Sequence, residues 1–188
     1  MDDPSKATGM GEAELLGSRQ VFRGIAVDLR VDRVRLPNGH EADLEVISHP
    51  GAAVVMPMTT EHEVVLLRQY RYAAGGWLLE LPAGKLNPGE RPAACAVREL
   101  EEEAGFKAGR LDSLGWVWTT PGFTNERIWL FIARDLEPGC QELESEEVLE
   151  ITSLPMSEVL RRIECGEIQD AKTICTLLLA ERFLGRES

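Results

Sequence analysis

Between Gly84 and Phe106 the chain reads GKLNPGERPAACAVRELEEEAGF, and this stretch constrains the fold more than any other. Pro92 has a fixed φ that suits the first turn of a helix, where its missing N–H is not needed. Gly105 suits the left-handed position just past a helix end. Each residue between them turns about 100° round the axis, so Ala93, Ala96, Val97, Leu100 and Ala104 are expected on one apolar face. Glu99 and Glu103 stand one turn apart beside that face, and Glu102 lies within i+4 reach of Arg98. The spacing therefore predicts a helix docked into the core with carboxylates along one edge. Like charges at that spacing repel, and a hard cation with oxygen preference, such as Mg²⁺, relieves the repulsion.

The skeleton is Gly84, five residues, Glu90, seven residues, Arg98-Glu99-Leu100, one residue, Glu102-Glu103, one residue, Gly105-Phe106. It resembles, without a mismatch, the signature of the Nudix hydrolases, which cleave a diphosphate linked to another moiety using divalent metal. The flanks refine the resemblance. They are Leu67-Arg68-Gln69-Tyr70-Arg71-Tyr72, Trp77 through Lys85, Pro121-Gly122-Phe123-Thr124-Asn125-Glu126, and Gly166 through Thr173. Together they are similar to the ADP-ribose pyrophosphatase branch over roughly residues 20 to 185.

That resemblance implies an α+β fold, a Nudix-type α/β/α sandwich around a mixed sheet with an N-terminal antiparallel strand extension. It implies Mg²⁺, with Mn²⁺ as a substitute, held by Glu99, Glu103, Glu102 and the carbonyl of Ala83. It implies a glutamate from a mobile loop as base. By spacing from Leu154-Pro155, Glu147 matches best, with Glu146 and Glu144 as alternatives. Arg98 joins the catalytic set as the residue that orients the carboxylates. Arg71, Glu80, Phe22 and Glu126 are the substrate-binding candidates, with Phe22 as a stacking partner for adenine. Three of these have a plainer reading as well, Arg71 at a strand end, Glu80 in an ion pair and Phe22 in the core, and so does the Glu142–Glu147 run, as a solvated face. Trp116, Trp118 and Trp129 are read as core.

Along the chain, residues 1–18 are polar and expected to be frayed. Residues 19–48 alternate in polarity around Pro37-Asn38-Gly39 and read as antiparallel strands, a small dimerising sheet. Residues 49–188 form the hydrolase domain. Strands are expected at 51–58, 63–69, 114–119, 127–133 and 150–154, and helices at 157–165 and 171–184 with Asp170 as N-cap.

The chain's 188 residues suffice for one substantial domain, and a net charge of −12 disfavours nucleic acid as a partner. RNA decapping is set aside on that ground. Cys95, Cys140, Cys165 and Cys175 show no metal spacing and are expected to be reduced and at least partly buried. With no signal-like or membrane-spanning run, the expectation is a cytoplasmic enzyme. The substrate is a nucleoside diphosphate sugar. ADP-ribose cleaved to AMP and ribose 5-phosphate is the first choice and another such sugar the alternative. A non-catalytic nucleotide-sugar binding module is the rival of a different class. The resemblance also implies a homodimer with exchanged N-terminal strands.

Overall fold

The computed structural model of the protein describes residues 11–186. The chain divides into two compact units: residues up to His49 together with Thr120–Asn125, and Pro50–Thr119 together with Glu126 onward. The boundary expected near residue 48 did not anticipate that 120–125 would join the first unit.

In the first unit β1 (Glu14–Arg23), β2 (Asp28–Arg35) and β3 (Glu41–Ile47) form an antiparallel sheet in that order. The Pro37-Asn38-Gly39 turn closes β2 onto β3: the Leu36 N–H donates to the His40 carbonyl at 2.8 Å, and Gly39 takes a φ of 84°. Ile47 N donates to the Phe123 carbonyl and His49 N to Asn125 Oδ1, which ties in the 120–125 segment. The frayed start expected over 1–18 needs correcting where it can be seen. Residues 1–10 lie outside the described residues, but β1 begins at Glu14, paired with Arg35 by backbone register and by an ion pair. A ladder of this kind needs no hydrophobic periodicity, so the sequence gives little sign of it.

In the second unit β4 (Ala52–Pro57) is buried throughout and runs parallel to β9 (Arg127–Pro138). The sheet order is β7 (Ala83–Lys85), β4, β9, β8 (Phe106–Trp118). A second sheet places β5 (Glu63–Arg71) between β10 (Leu149–Pro155) and β6 (Gly76–Glu80). Strand residues alternate faces, so each central strand feeds two cores. Val54, Met56, Val64 and Leu66 pack with Val159, Ile168, Leu177 and Ala180 of the C-terminal segment, which carries α2 (Met156–Glu164) and α3 (Ala171–Leu184). Ala53, Val55, Val65 and Leu67 pack with Cys95, Ala96, Leu100 and Ala104 of α1 (Pro92–Ala104). This is an α/β/α sandwich with mixed strand directions.

Three sequence expectations shift. β8 starts at Phe106, immediately after the helix stop, rather than at Leu114. Lys107, Arg110 and Asp112 mask its alternation, and the long pairing with β9 carries it. Trp116 and Trp118 are more than a third exposed because β8 is an edge strand. They meet edge to face at 5.4 Å, and the Arg127 guanidinium lies 4.8 and 4.3 Å from their rings; Trp129 stays half-buried against the α1 core. Cys140 and Cys165 are exposed, while Cys95 is buried and Cys175 half-buried. No described helix is long and apolar enough to cross a membrane.

Candidate active site

Helix α1 begins with Pro92 and stops at Gly105, whose φ of 69° turns its N–H onto the Glu101 carbonyl at 2.9 Å. The buried face is Cys95, Ala96, Glu99, Leu100, Glu103 and Ala104. Ala93 and Val97, expected on the apolar face, are exposed. The helix is rotated so that two glutamates point inward instead of lying beside the core.

Those carboxylates are in costly places. Glu99 is 7% exposed and Glu103 3%. Burial pushes Glu103 up to about 8; the Ala83 N–H opposes that, and the charges of Glu99 and Glu147 add to it. Glu99 is raised too, chiefly by burial, with Arg98 pulling the other way.

Arg98 bridges the neighbouring acids. Nε and Nη2 donate to Glu90 at 2.9 and 3.0 Å, Nη1 donates to Glu99 at 2.6 Å and to Glu102 at 2.8 Å, and Nη2 also reaches the Lys85 carbonyl at 3.1 Å. Glu90 in turn accepts the Asn87 N–H at 2.8 Å and is held below the usual carboxylate range by Arg98. Among the described residues no three acidic side chains converge on one point. Glu99 and Glu102 lean onto Arg98, and Glu103 leans onto Ala83, the nearest positive or donor groups.

The loop before α1 is shaped around these acids. A Cβ on Gly84 would sit 1.9 Å from Glu99 Oε1, so any larger residue would push the carboxylate from its present place. Ala83 donates its N–H to Glu103 Oε2 at 2.8 Å. It pairs with Val54, and Val55 N donates to the Pro82 carbonyl at 3.0 Å, which makes Ala83–Val54 a pair without mutual hydrogen bonds. Ala83 lies on edge strand β7, and N–H and C=O of one strand residue point the same way. Its carbonyl therefore faces out of the ladder, on the side of Glu103. Hard oxygen ligands in a buried, negatively charged cradle closed by a glycine fit a divalent cation.

The loop after β9 is fastened to the end of α1. Gly139 N donates to the Gly105 carbonyl, Glu142 N to the Glu102 carbonyl at 2.9 Å, and Gln141 Nε2 to the Glu103 carbonyl at 2.7 Å. These bonds satisfy carbonyls that a helix end leaves unpaired. Of the three candidate loop acids, Glu147 is half-buried, and its charge acts on both Glu99 and Glu103; Glu144 and Glu146 are exposed. Glu147 accepts the Glu144 N–H at 2.8 Å. A cleft of about 670 Å³ runs along the outer flank of α1 past Arg98, Glu102 and Cys140.

Glu80 needs correcting as a candidate for binding sugar hydroxyls. It is 2% exposed and takes two 2.9 Å bonds from Arg71 and one from Lys172 Nζ at 2.5 Å. Burial opposes its charge, and Arg71 and Lys172 more than offset that. Its carboxylate is consumed, and Arg71 is what it presents. Glu126 is half-buried and accepts the Thr119 hydroxyl at 2.8 Å. Phe22 belongs to the first unit and is 56% exposed, its ring folded over Gly24, so the core reading for it fails. Lys172 and Thr173 were not among the sequence-predicted site residues; the signals for them were their place in the Gly166–Thr173 flank and in the first turn behind the Asp170 cap.

One consequence concerns stability. A group whose folded-state value lies near 8 against an ordinary 4.5 favours the folded, protonated form most at low pH, and that contribution is lost as pH rises from about 5 through 8. In chelator, the melting temperature is expected to fall by at least roughly 3 °C between pH 6 and pH 8.5. Glu103→Gln is expected to flatten the decline. A wild-type melt that rises across this range would mean Glu103 is ionised at no cost.

The family model for the NUDIX domain matches residues 48–177. The chain is 37% identical over 164 residues to an ADP-ribose pyrophosphatase of Bacillus subtilis (strain 168), covering 86% of this chain and 89% of that one. It is 38% identical over 165 residues to a methanol dehydrogenase activator of Bacillus methanolicus, covering 87% and 89%. A solved structure described as an ADP compounds hydrolase superposes with a TM-score of 0.84 at 22% identity, covering 97% of this chain and 99% of that one. That likeness shows the fold.

Proposed function

The chain belongs to the Nudix family, and from that premise we propose that it hydrolyses the diphosphate of ADP-ribose to AMP and ribose 5-phosphate. The observation that carries this reading is the buried pair Glu99 and Glu103, set against Gly84 and the outward Ala83 carbonyl. The similarity to an ADP-ribose pyrophosphatase over most of both chains supports the choice of sugar.

Glu99, Glu103, Glu102 and the Ala83 carbonyl would hold Mg²⁺, with Mn²⁺ as a substitute. When bound, the cation supplies charge neutralisation at the diphosphate and activation of water. Glu147 takes the proton from the water that attacks phosphorus, and the bridging P–O bond breaks. Arg98 positions Glu99 and Glu102 through its fork and contacts no substrate. Arg71 spends Nε and Nη2 on Glu80, leaving Nη1 for a phosphate oxygen. Phe22 and Glu126 complete the substrate set, with Phe22 stacking on adenine. We place Phe22 in its partner's site, within a homodimer that exchanges N-terminal strands. The compartment is the cytoplasm, where the four free thiols stay reduced.

A panel of nucleoside diphosphate sugars with Mg²⁺, read as phosphate released after phosphatase treatment, tests the reading. ADP-ribose should give the highest kcat/KM. Preference for another sugar would move the substrate, and binding without turnover would favour the non-catalytic module. Glu147→Gln is expected to lower kcat by about 10²–10⁴-fold with little change in KM. A full-rate Glu147→Gln enzyme would take this residue out of the mechanism.

A further inference from the structure

The first turn of α3 grips the segment that leads into the catalytic loop. β6 ends at Glu80 and β7 begins at Ala83, so residues 80–83 carry the chain from one sheet to the other. Each residue of this crossing is anchored. Glu80 is held by Arg71 and Lys172, Leu81 N donates to Thr173 Oγ1 at 2.9 Å, the Pro82 carbonyl accepts from Val55 N, and Ala83 N donates to Glu103. Two of these four anchors come from α3. Lys172 is itself steered by Asp170 Oδ2 at 2.9 Å, and Asp170 caps the helix through the Thr173 N–H at 3.0 Å. Thr173 is fully buried, so its hydroxyl is the partner that the buried Leu81 N–H has in place of water.

We propose that Lys172 and Thr173 are positioning residues for the diphosphatase reaction. They fix the Glu80–Ala83 crossing and through it the direction of the Ala83 backbone against Glu103. The inference rests on the metal-dependent reading above. Thr173 alone sets the height of Leu81, two residues before Ala83, because no ladder bond reaches the Leu81 N–H. Lys172 sets Glu80, and Glu80 sets the Arg71 fork. Neither residue touches substrate. Partners that hold ligand groups in this way are worth about 10–100-fold in metal affinity or activity.

Thr173→Val keeps the shape and removes the acceptor; Thr173→Ser restores it. Mn²⁺ binding to substrate-free protein, followed by electron paramagnetic resonance, and kcat and KM on ADP-ribose are measured well below the melting temperature. Thr173→Val should weaken Mn²⁺ binding and lower kcat by about 10-fold or more each, with KM within about threefold, and Thr173→Ser should recover both. A folded Thr173→Val protein with a lower melting temperature but wild-type Mn²⁺ affinity and kcat would overturn the proposal, leaving the hydroxyl a stabilising contact only. If Thr173→Val does not fold, Lys172→Met carries the Mn²⁺ and kcat readouts on a half-buried site, with the same expected and overturning results for those two, while KM is left out of the test because Lys172 also acts on Arg71 through Glu80. If wild-type protein fails to turn over ADP-ribose, the substrate reading falls, and the Mn²⁺ measurement still decides the positioning role.

Discussion

Replacing Glu103 by Gln is expected to lower turnover by roughly 10³-fold while the protein folds as before, since a lost cation ligand removes several kcal/mol at about 1.4 kcal/mol per decade. The amide is nearly the same shape, and its oxygen can still accept the Ala83 N–H that Glu103 accepts now at 2.8 Å. What disappears is a negative charge at a position 3% exposed. In the absence of cation that charge is a burden, because burial has pushed the group up to about 8. The substitution should therefore separate two properties: activity falls, and alkaline stability in chelator rises or holds. kcat at saturating Mg²⁺ and a melt at pH 8.5 check both. Near-wild-type kcat would make the α1 acids structural.

The elements that were legible share a local cause. Pro92 and Gly105 bound α1 because their backbone preferences are intrinsic, and the 37–39 turn and the Asp170 cap follow for the same reason. The rotation of α1 was not legible. Apolar periodicity placed Ala93 and Val97 inward and the glutamates to the side, whereas the fold buries Glu99 and Glu103 and exposes Ala93 and Val97. A site that must hold charge in the interior breaks the rule by which periodicity is read. The contacts of Lys172 and Thr173 were not legible for another reason: their partners lie 92 residues away in sequence. Contacts of that range leave no local pattern. Glu80 shows the converse, an acid whose place beside the loop suggested ligand and whose burial shows an ion pair.

Deleting residues 1–48 is expected to give a monomer without activity although every residue of the α1 segment is unchanged. The three-stranded sheet of β1, β2 and β3 has little to bury by itself. All ten residues of β1 are exposed, and Leu15, Val21, Phe22, Ile25 and Leu44 leave large apolar side chains in solvent. Exposed apolar groups gathered on one small sheet mark an interaction surface. A second copy offers the same surface by symmetry, and a specific pairing would bury at least about 1,000 Å². In such a dimer the exposed Phe22 would be available to stack on adenine in the partner's site. The deletion also takes away Ile47, which bonds the Phe123 carbonyl and accepts from Asn125 N, so the segment between Thr119 and Glu126 loses those two bonds and keeps the one from His49 N to Asn125 Oδ1. Phe22→Ala offers a gentler arm: the dimer should persist while KM for ADP-ribose rises by about 10-fold or more, as expected for a stacked base worth about 1–3 kcal/mol. Light scattering and kinetics on the same samples read both variants. A monomer mass for the active full-length protein would end the shared-site reading, and full activity in the deletion variant would end any role for the N-terminal sheet in catalysis.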